Sequence, residues 1–296
     1  MRSFFAVMVC GLALAGTAGC SAADASADDP GSEDELAKGA DPDMVPASIV
    51  AFEDRLAWGD HHLQWHMERR WDAVKGDHST LDYAQAHGWK KAERQEGDKG
   101  NGREFLIMHR AMLEILREQF PKSASLFKGF DKVPTDPKDK TTPCPDKSKA
   151  FDAKMLGTLA KLEDIAANAG SFADDDAFGL WLETSMKQKA GAGLHNYLHV
   201  RFAKDGSPID VGDPTLNLKN KVFWRIHGWI DRKWSEFRKA KGLPAEDAAM
   251  RQAIDAQKEH MLQSQGVKAA SRDPADARAE EALRNAFKAG NESEFQ

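Results

Sequence analysis

Residues 219–241 read KNKVFWRIHGWIDRKWSEFRKAK. The apolar residues recur at helical rather than alternating spacing, so the stretch predicts a strong α-helix. Phe223, Trp224 and Trp229 crowd around one imidazole, His227. A second clear amphipathic helix covers residues 103–119 (REFLIMHRAMLEILREQ); it carries His109 and is stopped by Pro121. Working outward, residues 47–74 keep helical periodicity through Ile49, Phe52, Leu56, Leu63, Trp65 and Trp71. Further helices are expected around Leu81–Glu93 and at 149–168, 174–187 and 190–203. Residues 121–148, rich in Pro, Lys and Asp, read as a long loop, and 204–216 as a turn-rich connection marked by Asp205-Gly206 and Asp213-Pro214. After Pro244, Ala alternates with charged residues, which predicts one or two surface helices. The expected fold class is mainly α.

Composition narrows the function. The 296 residues hold 41 Lys plus Arg against 47 Asp plus Glu, a net charge of −6 that argues against a nucleic-acid partner. Three cysteines cannot build a disulfide scaffold or a Cys-based zinc cluster, whereas ten histidines suffice for imidazole metal sites. Residues 1–19 read as a signal peptide: Arg2, an apolar run from Phe4 to Gly16, then small residues. Thr17-Ala18-Gly19-Cys20 resembles a bacterial lipobox, with Thr17 where Leu is usual. Its implication is a lipid on Cys20 as the only membrane attachment, in an exported protein that is periplasmic, anchored to the outer membrane, or secreted. Cleavage removes Arg2 and no acid, taking the net charge from −6 to −7. Cys144 is then left without an intrachain partner. Residues 20–45 read as a disordered acidic tether, 46–243 as the metal-bearing domain and 244–296 as a helical tail.

The histidines fall into two similar half-sites. Asp60-His61-His62-Leu63-Gln64-Trp65-His66 places His62 and His66 four residues apart, on one helix face and about 6 Å apart at Cβ. His109 follows in Phe105-Leu106-Ile107-Met108-His109. Leu194-His195-Asn196-Tyr197-Leu198-His199 repeats the pair, and His227 follows it. Neutral imidazole suits Zn, Cu, Fe and Ni. A lone histidine on an apolar face, or one such pair, is more often ordinary core or surface; two pairs, each followed by a histidine in an aromatic helix, carry more weight. The residue three before each candidate is never Glu, which argues against a di-iron carboxylate bundle, and the zinc-protease motif His-Glu-x-x-His is absent. His61, one residue from His62, points off the ligand face; His78, His87 and His260 read as exposed bystanders.

These segments resemble the binuclear (type 3) copper proteins: tyrosinases, catechol oxidases, and the arthropod hemocyanins and phenoloxidases. The resemblance covers roughly residues 58–240. It rests on His61-His62-x-x-Trp65-His66, on Phe105 to His109, on Leu194 to His199, and on Phe223 to Asp231, with Ile226 where tyrosinases carry an additional histidine. A tyrosinase-style alignment would make His87 the first ligand, but Gly100 then stands where a histidine is usual. The resemblance therefore assigns His62, His66 and His109 to one copper and His195, His199 and His227 to the other.

It further implies a four-helix bundle around a di-copper centre, with O2 as co-substrate and a small phenol as substrate. Trp65, Phe105, Phe223, Trp224 and Trp229 would wall the centre, or be plain core. Asn196 matches a residue that helps water act as base toward phenols; its alternative role is a buried amide bonded to backbone. Lys187 stands eight residues before His195 in place of a glutamate, and Glu183 is the nearest upstream acid. That favours oxidation of o-diphenols or o-aminophenols to quinones over monophenol hydroxylation. Two other readings stay open: a non-catalytic protein that holds O2 or copper, and a single metal at His195, His199 and His227.

Overall fold

A computed structural model describes residues 41–74, 78–135, 151–184, 191–204 and 206–263. Among these the chain is mainly helical and has no β-strand; Met44 and Asn220 form a lone antiparallel bridge. The helices are α1 (Ala47–Arg55), α2 (Trp58–Arg69), α3 (Trp71–Val74), α4 (His78–Ala86), α5 (Asn101–Gln119), α6 (Ala153–Glu163), α7 (Ile165–Asn168), α8 (Asp175–Glu183), α9 (Leu194–Phe202), α10 (Lys221–Ala240) and α11 (Ala248–Gln263). No helix among the described residues is long and apolar enough to cross a membrane. The signal segment 1–19, Cys20, Cys144 and Lys187 lie outside the described residues.

The longest helices, α5 and α10, lie at the centre because each buries a broad apolar face. Arg110 on α5 donates to Asp231 on α10 at 2.5 Å and to Ser235 at 3.0 Å. Its guanidinium also lies over the Trp234 ring at 3.9 Å. Arg110 follows His109, and Asp231 comes one turn after His227. This buried ion pair therefore sets the register of two histidine-bearing helices.

Expected boundaries shift where tertiary contacts act. The helical periodicity over 47–74 belongs to three helices, broken at Arg70 and, earlier, at Ala57, which takes a left-handed φ of 50°. Such a residue costs roughly 1–2 kcal/mol. Buried Leu56 and Trp58 on either side hold it there, and the Trp58 indole donates to the Met261 carbonyl at 3.2 Å. Helix α5 starts at Asn101 rather than 103, capped from a distant helix. Asp176 on α8 accepts from Gly100 N at 2.8 Å and Arg103 N at 3.1 Å, placing a carboxylate at the positive end of α5. Within 121–135 lie two single 3-10 turns, and residues 136–148 of the expected loop are outside the described residues.

Among the described residues two large apolar clusters build most of the core, beside a small third of Leu63 and Met67. One large cluster gathers Phe105, Phe178, Trp229, Trp234 and Phe237; the other Trp58, Met108, Met112, Phe223 and Trp224. Helix α11 joins both through Met250, Ile254 and Met261, all buried. At the other end of the described chain, Val45 N donates to Lys219 O at 2.9 Å and Lys221 N to Asp43 O at 2.7 Å. The residues next to α1 are therefore pinned beside the start of α10.

The packing of α5 on α8 depends on two facing glycines. A Cβ at Gly102 would lie 2.2 Å from Leu180 N, and one at Gly179 would lie 2.1 Å from Gly102 O. These obstacles are backbone, which cannot rotate away. Gly102→Ala should therefore destabilise the protein by about 1–3 kcal/mol through overpacking, read as a lower urea midpoint. An unchanged midpoint would disprove this account of the contact.

Candidate metal centre

The six histidines singled out in the sequence come together from four helices: His62 and His66 from α2, His109 from α5, His195 and His199 from α9, and His227 from α10. Each is no more than 6% exposed. In the first group the ring centroids lie 4.7 Å (His62–His66), 5.7 Å (His62–His109) and 6.0 Å (His66–His109) apart. In the second they lie 4.6 Å (His195–His199), 5.1 Å (His195–His227) and 5.3 Å (His199–His227) apart. The halves adjoin: His109 stacks on His227 at 4.2 Å, and His66 lies parallel to His195 at 5.8 Å.

Local chemistry decides which nitrogen faces inward. His109 Nδ1 lies 3.0 Å from Phe105 O and His227 Nδ1 2.8 Å from Phe223 O, each the carbonyl four residues earlier on its own helix. His199 Nδ1 meets Val211 O at 2.7 Å and His62 Nδ1 meets Pro214 O at 3.1 Å. A carbonyl oxygen only accepts, so each of these Nδ1 atoms carries the proton. Burial, the largest cause, lowers all six imidazole pKa values. Those of His62 and His199 fall to about 4, and those of His66, His109, His195 and His227 lie well below 6.5. The rings are therefore neutral, and where Nδ1 holds the proton Nε2 presents a lone pair.

The lone pairs converge. His195 Nε2 lies 3.1 Å from both His199 Nε2 and His227 Nε2. With His199 and His227 unprotonated at Nε2, a neutral His195 can donate to one of them at most. If its own proton sits on Nδ1, facing Asn196 Oδ1 at 3.2 Å, none can donate. Two lone pairs at this distance repel unless a cation lies between them. Nitrogens about 2.0–2.1 Å from one ion at tetrahedral angles are roughly 3.3 Å apart. The Nε2 atoms of His62 and His109 are likewise buried without a hydrogen-bond partner. The donor set thus fits metal ions. Among the described residues, ligand atoms within 4.8 Å of one another form two groups, His62/His66/His109 and His109/His195/His227. His109 can serve either group, and His199 joins the second through its contact with His195.

Phe105 and Phe223 form the dry wall: Phe223 touches the rings of His227 (4.0 Å) and His62 (5.2 Å), and Phe105 those of His109 (4.6 Å) and His195 (4.8 Å). Trp65 lies edge-on to His66 at 4.9 Å. Trp224, bonded to Leu218 O, and Trp229 belong to the core beyond. A small cavity of about 20 Å³ reaches the centre, lined by His62, His66, His195, Asn196 and His199 together with Gly212, Pro214 and Asn217. Asn196 thus lines the cavity beside the centre. Glu183 is buried and hydrogen-bonded to Asn101 Nδ2 at 2.6 Å; burial, then the neighbouring Glu96, raises its pKa well above the usual range.

Sequence reasoning missed the loop 204–216 as part of the site. Its contribution is the carbonyls of Val211 and Pro214, and every residue has a carbonyl, so no side-chain motif could announce them. Among the expected bystanders, exposed His87 stacks on Tyr83 at 4.0 Å, apart from the centre, and the His78 side chain is outside the described residues. No protein-family model matches the chain, and no curated protein sequence matches it. The donor chemistry therefore carries the functional argument alone.

Two outcomes are expected. The folded imidazoles have pKa values below their unfolded 6.5, so the unfolded chain takes up more protons as pH falls. The imidazoles' contribution to the stability of metal-free protein should be complete above about pH 6.5 and be lost progressively toward about pH 4. Buried Glu53 and Glu183, whose pKa values are raised, act in the opposite sense. Thermal unfolding after chelation, in a Glu53→Gln/Glu183→Gln background that removes the opposing groups, measures the imidazole contribution, and a midpoint flat across that window would refute neutral burial. Asn196→Ala should leave the fold intact but free the His195 ring, weakening metal affinity about 10–100-fold in chelator competition.

Proposed function

We propose that the chain is an exported type 3 copper protein that oxidises o-diphenols or o-aminophenols to quinones with O2. Convergence of six neutral imidazoles, with Nε2 atoms as close as 3.1 Å, is the observation that carries this reading. In this reading α2, α5, α9 and α10 act as a four-helix bundle around two copper ions. His62, His66 and His109 would hold one ion, and His195, His199 and His227 the other. Nitrogen-only donors with neither thiolate nor carboxylate favour copper over hard cations. Bound copper would supply one-electron chemistry with O2. Overall, two diphenols lose two electrons and two protons each, while one O2 becomes two waters.

The chain's own groups perform the remaining tasks. Backbone carbonyls hold the Nδ1 protons, so the Nε2 lone pairs stay available without any change of protonation. Phe105 and Phe223 keep water from the ligand rings. Asn196 offers a polar side chain within the cavity, where a phenol hydroxyl would arrive. Export with a lipid on Cys20 completes the proposal and rests on the N-terminal sequence alone.

The cavity of about 20 Å³ favours a second reading, because it admits little more than a water-sized guest. In that reading the same centre holds O2 or copper without turning over a phenol.

Metal analysis and oxygen uptake separate these readings. The expected result is about two copper ions per chain, and O2 consumption with catechol. His199→Ala or His227→Ala should lower copper to about one per chain and abolish uptake. Two coppers without uptake across a set of diphenols and aminophenols would establish the holding protein. About one copper in the unaltered chain would overturn the binuclear centre.

A further inference from the structure

Helix α2 presents histidines on two sides. His61 precedes His62 and sits about 100° round the helix. It lines a separate cavity of about 100 Å³, shared with Glu68 from α2, Met108 from α5, and His260 and Met261 from α11. His62 forms part of the same lining, so the cavity reaches the outer side of the six-histidine centre. The His61 Nε2 is buried and has no hydrogen-bond partner. The ring of exposed His260 stands edge-on to His61, centroids 6.0 Å apart. Three histidines, two methionines and a glutamate thus line one small space between solvent and a buried centre.

We propose that His61, His260, Met108 and Met261 form an additional site for a soft monovalent metal ion, through which Cu(I) reaches the six-histidine centre. Thioether donors favour Cu(I) over Zn(II) or Mg(II), which distinguishes this donor set from the imidazole-only centre. Each inner histidine is no more than 6% exposed, so an arriving ion needs an intermediate set of ligands. His260 is exposed, and His61 and His62 both line the cavity. No redox change is involved: the ion exchanges water for imidazole and thioether, then those for imidazole. The delivery role rests on the copper reading above; the existence of the site does not.

The test titrates full-length, metal-free protein anaerobically, with Cu(I) against a chromophoric chelator and separately with redox-silent Ag(I). Unaltered protein should bind about one equivalent more than a His61→Ala/His260→Ala variant. A Met261→Leu variant, close to isosteric, should weaken that equivalent while keeping the native circular dichroism. The equivalent should persist in His199→Ala/His227→Ala, which damages the inner centre. Copper loading of the inner centre should be slower in the His61/His260 variant than in His87→Ala. Equal stoichiometry in the unaltered protein and the folded His61/His260 variant would overturn the site. Equal loading rates would overturn the delivery role. If the inner centre takes no copper while the His61-dependent equivalent remains, the copper reading fails and this site stands.

Discussion

Burying six imidazoles in one place is tolerable only if all stay uncharged and something accounts for their inward lone pairs. Neutrality follows from desolvation, which lowers every one of their pKa values. The inward lone pairs follow from carbonyls behind the rings, which claim the Nδ1 protons of His62, His109, His199 and His227. Three Nε2 atoms linked by 3.1 Å contacts then make a bed for a cation. The surrounding architecture can be understood as the means of holding these rings still.

That holding is shared between long-range and local devices. Arg110 and Asp231 join α5 to α10 beside the ligand positions, and leaving either partner alone in the interior would be costly. The glycine contact between α5 and α8 lets Asp176 reach the start of α5. Asn220 caps α10 at Val222 N (2.8 Å) and ties it to Ile209 O (2.8 Å), which connects the last ligand helix to the loop behind His62 and His199. Each device is an ordinary hydrogen bond or packing contact, yet together they leave the imidazoles little freedom.

Much of this was legible in the sequence. Helices α5 and α10 carry apolar residues at helical spacing over 19 and 20 residues, long enough for periodicity to be unambiguous. The histidine pairs were legible because spacing of four on a helix fixes a shared face whatever the surroundings. The breaks within 47–74 were not legible: the periodicity survives them, and Ala57 is not a residue that announces a left-handed turn. Residues 248–263 read as a surface tail because Ala and charge dominate. Met250, Ile254 and Met261 nevertheless bury against the core, and nothing local indicates which side of such a helix finds a partner.

The sequence by itself determined the mainly helical class and the shared face of each histidine pair, because 3.6-residue periodicity and four-residue spacing are properties of one helix at a time. His109 and His227 were singled out by the family resemblance. Only the tertiary structure decided how the rings group, with His109 stacked between the two halves, and which nitrogen each presents. It also decided that His61 and His260 meet across a cavity, though they lie far apart in the chain. Grouping and tautomer depend on inter-helix register and on backbone carbonyls from a distant loop. Neither is encoded in residue identity at the histidines themselves.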